Sequence, residues 1–146
     1  MYRTARGDLE VLIAHPGGPL WERRDSGAWS IPKGIVEDGE DPMGAARREF
    51  TEEIGADPGE PLTELGSVKQ KSGKTVHVWA VKGDFDPADL DSHILEIEYP
   101  WRSGRFVRFP EIDRVLWASP EVARKKLNSA QAAFVERLEA HLELGH

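Results

Sequence analysis

Apolar residues run unbroken through "VLIA" at 11–14, inside "DLEVLIAH" (8–15), a pattern that predicts a buried strand. "HPGGPLWERRDSGAW" (15–29) has the glycines and prolines of a long loop. "WSIPKG" (29–34) reads as a short extended piece, because the residue before Pro32 is biased away from helix. A helix follows: Asp41 can cap it, Pro42 suits its first position and Gly55 its stop. Ala46, Phe50 and Ile54 fall four apart and mark its buried face. "ELGSVKQ" (64–70) and "TVHVWAV" (75–81) predict two strands joined by a tight turn at Gly73. "GDFDPADLDSH" (83–93) is an acidic loop, and "ILEIEYP" (94–100) a further strand. "VLWASPEVARKKL" (115–127) starts as a strand and turns helical at the cap Ser119 and Pro120, and Phe134, Leu138 and Leu142 continue as an amphipathic C-terminal helix. Strands interleaved with helices at both ends predict a mixed sheet covered on two faces.

Composition narrows the setting. A chain of 146 residues with no internal repeat or long linker is read as one domain, 1–146. Cysteine is absent, which excludes disulfides and thiolate metal sites. No apolar run approaches the roughly 20 residues of a membrane span, and "MYRTARGDLE" lacks the order of a secretory signal, so a cytoplasmic location fits. The net charge of −7 argues against a general nucleic-acid binder. It permits a phosphorylated small molecule, for which metal ions would supply the positive charge.

"RREFTEEIG" (47–55) crowds Glu49, Glu52 and Glu53 together. On a helix, positions three and four apart share a face within about 6 Å, so these acids are expected to project together while Phe50 and Ile54 turn to the core. Like charges at that spacing cost roughly 0.2–0.5 kcal/mol per pair. A hard divalent cation would reverse the sign. A solvated face balanced by Arg47 and Arg48 is the other reading of these residues alone.

The longer spacing adds to this. Gly34, five residues, Glu40, seven residues, then Arg48-Glu49-Phe50-x-Glu52-Glu53-x-Gly55-Ala56 resembles the Nudix box (34–56), the signature of the Nudix hydrolase family. Phe50 and Ala56 stand where the pattern usually has a bulky aliphatic residue. "GAWSIPKG", "RSGR" and "FPEIDRVLW" are similar to a bacterial branch described as predicted nucleoside-triphosphate pyrophosphohydrolases. The resemblance implies an α/β fold, the Nudix-type α/β/α sandwich with a mixed β-sheet between helices. That family opens with a longer first strand than "MYRTAR" supplies, so the start is expected to be shortened.

The resemblance also implies roles. Glu52 and Glu53 would ligate Mg²⁺ or Mn²⁺, more than one ion in the substrate complex, with Glu49 a third ligand or a positioner of water. The backbone carbonyl of Lys33 would complete the shell, Glu40 would support the loop, and Arg48 would orient the glutamates by salt bridge. For a carboxylate outside the box, Glu111 is preferred: it lies six residues before Trp117, like the loop glutamate of Nudix enzymes acting on dinucleoside polyphosphates and RNA ends. Glu98 is the runner-up, with Glu96 behind it.

Lys33, Lys74 and Arg102 are candidates for phosphate binding, with Lys69, Lys71 and Arg105 nearby, and Trp79 or Trp29 for stacking on a base. Each has a plainer reading as a solvated cation or a packed aromatic. His15, His77 and His93 lack metal-ligand spacing and read as structural or exposed.

The expected activity is metal-dependent hydrolysis of a phosphoanhydride in a nucleoside diphosphate linked to another group, a nucleoside triphosphate first and a dinucleoside polyphosphate as the alternative. Acidic charge and no evident basic groove disfavour an RNA 5′ end. A silent nucleotide-binding module would tend to lose box glutamates, and none is lost here. The partner is a small nucleotide, with no membrane, and the protein a monomer or homodimer.

Overall fold

The computed structural model describes residues 1–32 and 39–144. Lys33 and Gly34, with the rest of 33–38, lie outside the described residues. Among the described residues, seven strands and three α-helices follow in the order β1 (Tyr2–Ala5), β2 (Asp8–Pro16), α1 (Pro42–Ile54), β3 (Thr63–Lys69), β4 (Thr75–Ala80), β5 (Ile94–Glu98), β6 (Phe106–Pro110), β7 (Ile112–Ala118), α2 (Pro120–Lys126) and α3 (Ala132–Leu144), with a 3-10 turn at Pro87–Asp89.

β2 is the central strand of a three-stranded sheet, antiparallel to β1 on one side and β7 on the other. β3–β4 and β5–β6 form antiparallel hairpins. Parallel pairing comes from isolated bridges: Tyr2 to Lys82, in which the Tyr2 amide donates to Val81 O (2.9 Å) and the Gly83 amide to Tyr2 O (3.0 Å), and Trp29 to Leu127.

The unbroken apolar run of β2 serves two cores, because alternate side chains leave a strand on opposite faces. Val11 and Ile13 join Trp29, Val78, Leu127, Phe134 and Leu138 beneath α2 and α3. Leu12 and Ala14 join Phe50, Ile54, Phe85, Ile112 and Val115 beneath α1. This makes the α/β/α arrangement. Among the described residues no helix is long and apolar enough to cross a membrane.

The helix boundaries follow their caps. The Asp41 carboxylate accepts from the Gly44 amide (3.0 Å), and Gly55 takes a left-handed φ of 88° just past the end of α1. Ser119 caps α2 in the same way. β1 is a short first strand, and β6 is a strand the sequence reading did not separate from its motifs, though "FVRFP" alternates weakly.

Buried polar residues tie the long loop after β2 to both layers. His15 is fully buried, its Nδ1 2.8 Å from Asp113 Oδ1 and its Nε2 2.7 Å from Arg24 O. Gln131 accepts the Ile31 amide (2.8 Å) and donates to Gln70 Oε1 (3.0 Å), fixing the segment that leads into the box.

Leu12→Ala and Ile13→Ala each delete a side chain with 0% exposure, one from each core. Either should cost about 2–5 kcal/mol, read as a lower urea midpoint at unchanged slope.

Candidate active site

At 100° per residue, α1 turns Ala45, Glu49, Glu53, Ala46, Phe50 and Ile54 through one continuous arc toward the sheet, with Glu49 and Glu53 inside it. The expectation that all three glutamates project together, away from the core face, is corrected here. Glu53 is 6% exposed and itself part of the buried face, Ala45 rather than Ala46 is its small buried member, and the Glu49 side chain is 13% exposed. Glu52 sits at the rim with 41% side-chain exposure, turned toward Arg48.

Arg48 binds the acids together from outside. Its Nε and Nη2 donate to Glu40 (2.8 and 3.1 Å), and its Nη1 lies 2.9 Å from Glu49 and 3.3 Å from Glu52. These partners, Glu40 first, hold the guanidinium even more firmly in its charged form than usual. Burial pushes the Glu49 carboxyl above the ordinary range; Arg48 pulls it back and Glu52 pushes it up again.

A third carboxylate reaches this pair from a distant part of the chain. The carbonyls at the end of α1, which have no partner within the helix, accept amides from residues 91–93: Asp91 N donates to Ile54 O (3.0 Å) and His93 N to Glu52 O (2.9 Å). Gly55 permits this approach, since a Cβ there would lie 2.5 Å from Asp91 O. In turn the Glu111 amide donates to His93 O (2.9 Å) and the Ile112 amide to Ser92 Oγ (2.9 Å). Glu111 is thereby set against α1, and one carboxylate oxygen from each of Glu49, Glu53 and Glu111 can be chosen so that all lie within 4.8 Å of one another.

Several expected site residues fall elsewhere. Both oxygens of Glu98 accept backbone amides, from Arg102 (2.8 Å) and Gly104 (3.0 Å), at the tip of the β5–β6 hairpin. Glu96 stands opposite Arg108 in that ladder. Arg102 is exposed, with its guanidinium 4.3 Å from the Trp101 ring centre. Lys74 is exposed beside the β3–β4 turn. Trp79 is half-buried and lines a small cavity between α1 and β4 with Ala46, Phe50 and Leu62. Trp29 is packed, its Nε1 donating to Asp25 (2.7 Å). Lys33 lies outside the described residues.

His93 was missed. Its Nδ1 is 3.0 Å from Glu111 Oε1, and no sequence spacing announces that, because the contact is made by the docking of 91–93 on α1.

The donor set is chemically suited to a hard divalent cation: three carboxylates on two separate elements, partly shielded, with one proton affinity already raised by burial. The family profile described as NUDIX domain matches residues 3–138. The chain belongs to the Nudix family.

This Nudix chain is 30% identical over 134 residues to an RNA pyrophosphohydrolase of Bartonella bacilliformis, covering 82% of the chain and 71% of that relative. It is 54% identical over 61 residues to an RNA pyrophosphohydrolase of Roseobacter denitrificans, covering 39% and 36%. Another curated relative is spanned over only 22% of its length. Among solved structures, a Caenorhabditis elegans Ap4A hydrolase in a binary complex superposes with a TM-score of 0.66 at 23% identity, over 97% of this chain and 93% of the other.

Two outcomes are expected. In metal-free buffer at neutral pH, Glu49→Gln should raise Tm, since it removes a buried charge. The wild-type stability contributed by a neutral Glu49 is present at low pH and falls as pH rises from the usual glutamate value through its raised folded value. Gly55→Ala should displace 91–93 and with it Glu111, so turnover should fall about tenfold or more even at temperatures where circular dichroism shows the protein folded.

Proposed function

We propose that this Nudix protein is a metal-dependent pyrophosphohydrolase acting on a nucleoside 5′-triphosphate group, free or at the end of an RNA. The observation that carries the reading is the meeting of Glu49 and Glu53 of α1 with Glu111 of another element. Those three would hold Mg²⁺ or Mn²⁺, and Glu52, at the rim of the same helix, is the acid left for a second ion in the substrate complex. A bound divalent cation would neutralise phosphate charge and lower the pKa of water at the site.

The residues divide the remaining work. Water attacks phosphorus, the bond to the bridging oxygen breaks, and pyrophosphate leaves. Of the three, Glu111 also takes the proton of the attacking water, a reading supported by its place outside the helix beside His93. Arg48 keeps Glu49 and Glu52 oriented and offsets their mutual repulsion. Exposed cations such as Arg102 and Lys74 are candidates for meeting phosphate from outside. A cytoplasmic location goes with this reading.

The curated relatives named RNA pyrophosphohydrolase favour including the RNA 5′ end, which the global charge alone argues against. A dinucleoside polyphosphate is the second reading, favoured by the position of Glu111 six residues before Trp117.

Turnover of ATP, a 5′-triphosphate RNA and a dinucleoside tetraphosphate with Mg²⁺ or Mn²⁺ should be compared by product mass. Release of pyrophosphate and a 5′-monophosphate is expected. Glu53→Gln and Glu111→Gln should each lower kcat by about a hundredfold or more. Glu98→Gln should leave kcat on ATP within about twofold; loss through Glu98 with Glu111 silent would overturn the assignment.

A further inference from the structure

The β5–β6 hairpin is rooted in the carboxylate site and points away from it. Its first ladder pair, Ile94 opposite Pro110, directly follows His93 and precedes Glu111; its last is Glu98 opposite Phe106. Four residue steps at about 3.3 Å each carry that last pair roughly 13 Å from the root, and the connecting turn extends further.

One face of the hairpin is used within the fold: Leu95, Ile97, Val107 and Phe109 are half-buried, and the Phe109 ring packs so closely on Gly18 that a Cβ there would be 2.7 Å from it. The other face and the tip are open. Ile94 is 51% exposed, Phe106 62% and Trp101 77%, with Tyr99 at 38% beside them.

Looseness does not account for this exposure. The tip is held by the two Glu98 bonds, by Tyr99 N donating to Arg105 O (2.8 Å) and by Ser103 N donating to Pro100 O (3.0 Å). Arg102 is kept at a positive φ of 62°, a conformation uncommon for a residue with a side chain. Arg102, Arg105 and Arg108 are exposed around the aromatics, while Glu98 is engaged by backbone amides. Glu96, also exposed, stands opposite Arg108, so 94–110 carries three arginines against two glutamates, a net of +1 in a chain of net charge −7.

Resting on the reading of the site as a triphosphate hydrolase, we propose that the outer face and tip of this hairpin carry the single-stranded RNA attached to the reacting 5′ end. Trp101 and Phe106 stack on bases, and Arg102, Arg105 and Arg108 meet backbone phosphates. The geometry favours this occupant because the hairpin leaves the carboxylate site between His93 and Glu111 and carries its exposed aromatics and arginines roughly 13 Å and more along its length. Aromatic faces bind every base, so the track is sequence-tolerant.

The test uses the full chain and a Trp101→Ala/Phe106→Ala variant, both side chains being exposed, with Trp101→Phe as the conservative control. Binding of a 5′-monophosphate RNA of about eight nucleotides is read by fluorescence anisotropy, and kcat/KM is measured on the 5′-triphosphate form and on ATP. The double variant should bind the RNA about tenfold or more weakly and lose a similar factor in kcat/KM on it, with ATP turnover unchanged and Trp101→Phe close to wild type. Equal losses on RNA and ATP, no change on either, or concentration-dependent dimerisation abolished by the variant would overturn the proposal. Wild-type protein that binds RNA through Trp101 yet hydrolyses no triphosphate would sink the reading of the carboxylate site and uphold the hairpin as the RNA track.

Discussion

Carboxylate oxygens within 4.8 Å of one another repel, on the order of 3 kcal/mol for each ionised pair at an effective dielectric of about 20. The fold has to impose that arrangement, and most of its particular features can be read as ways of doing so. Arg48 spreads its guanidinium across Glu40, Glu49 and Glu52. The C-terminal carbonyls of α1 take their missing amides from 91–93, which anchors the segment that carries Glu111. Gly55 leaves room for that contact, since any side chain there would meet Asp91.

The layers beneath provide the stiffness. β2 presents Leu12 and Ala14 to α1 and Val11 and Ile13 to the C-terminal helices, so the helix bearing the acids rests on a strand fixed from behind. Two buried polar residues complete the support. His15 and Gln131 hold the loop and the extended segment that precede the box, where a purely apolar contact would leave backbone groups without partners.

The fold was legible where local chemistry decides structure. Asp41, Pro42 and Gly55 bound α1, Ser119 caps α2, and the alternating runs give β3, β4 and β5. The family and the acids of the box were legible through spacing. What the sequence did not reveal came from contacts between distant segments. Glu53 turns into the buried arc, and His93 meets Glu111, because 91–93 docks on a helix end some forty residues earlier in the chain. β6 escaped because its five residues alternate too briefly to separate from the motifs around them. Glu98 resembled a ligand in type and neighbourhood, yet its oxygens are occupied by amides only four and six residues on, which no spacing rule distinguishes from a free acid.

Those two short bonds make the loop from Tyr99 to Arg105 a self-contained knot, shaped by its own residues rather than by the hydrolytic centre. A segment with that independence can be redrawn by mutation without disturbing the packing that brings Glu49, Glu53 and Glu111 together. Under the proposed reading of the hairpin, what the protein accepts can therefore drift while its carboxylate cluster stays constant.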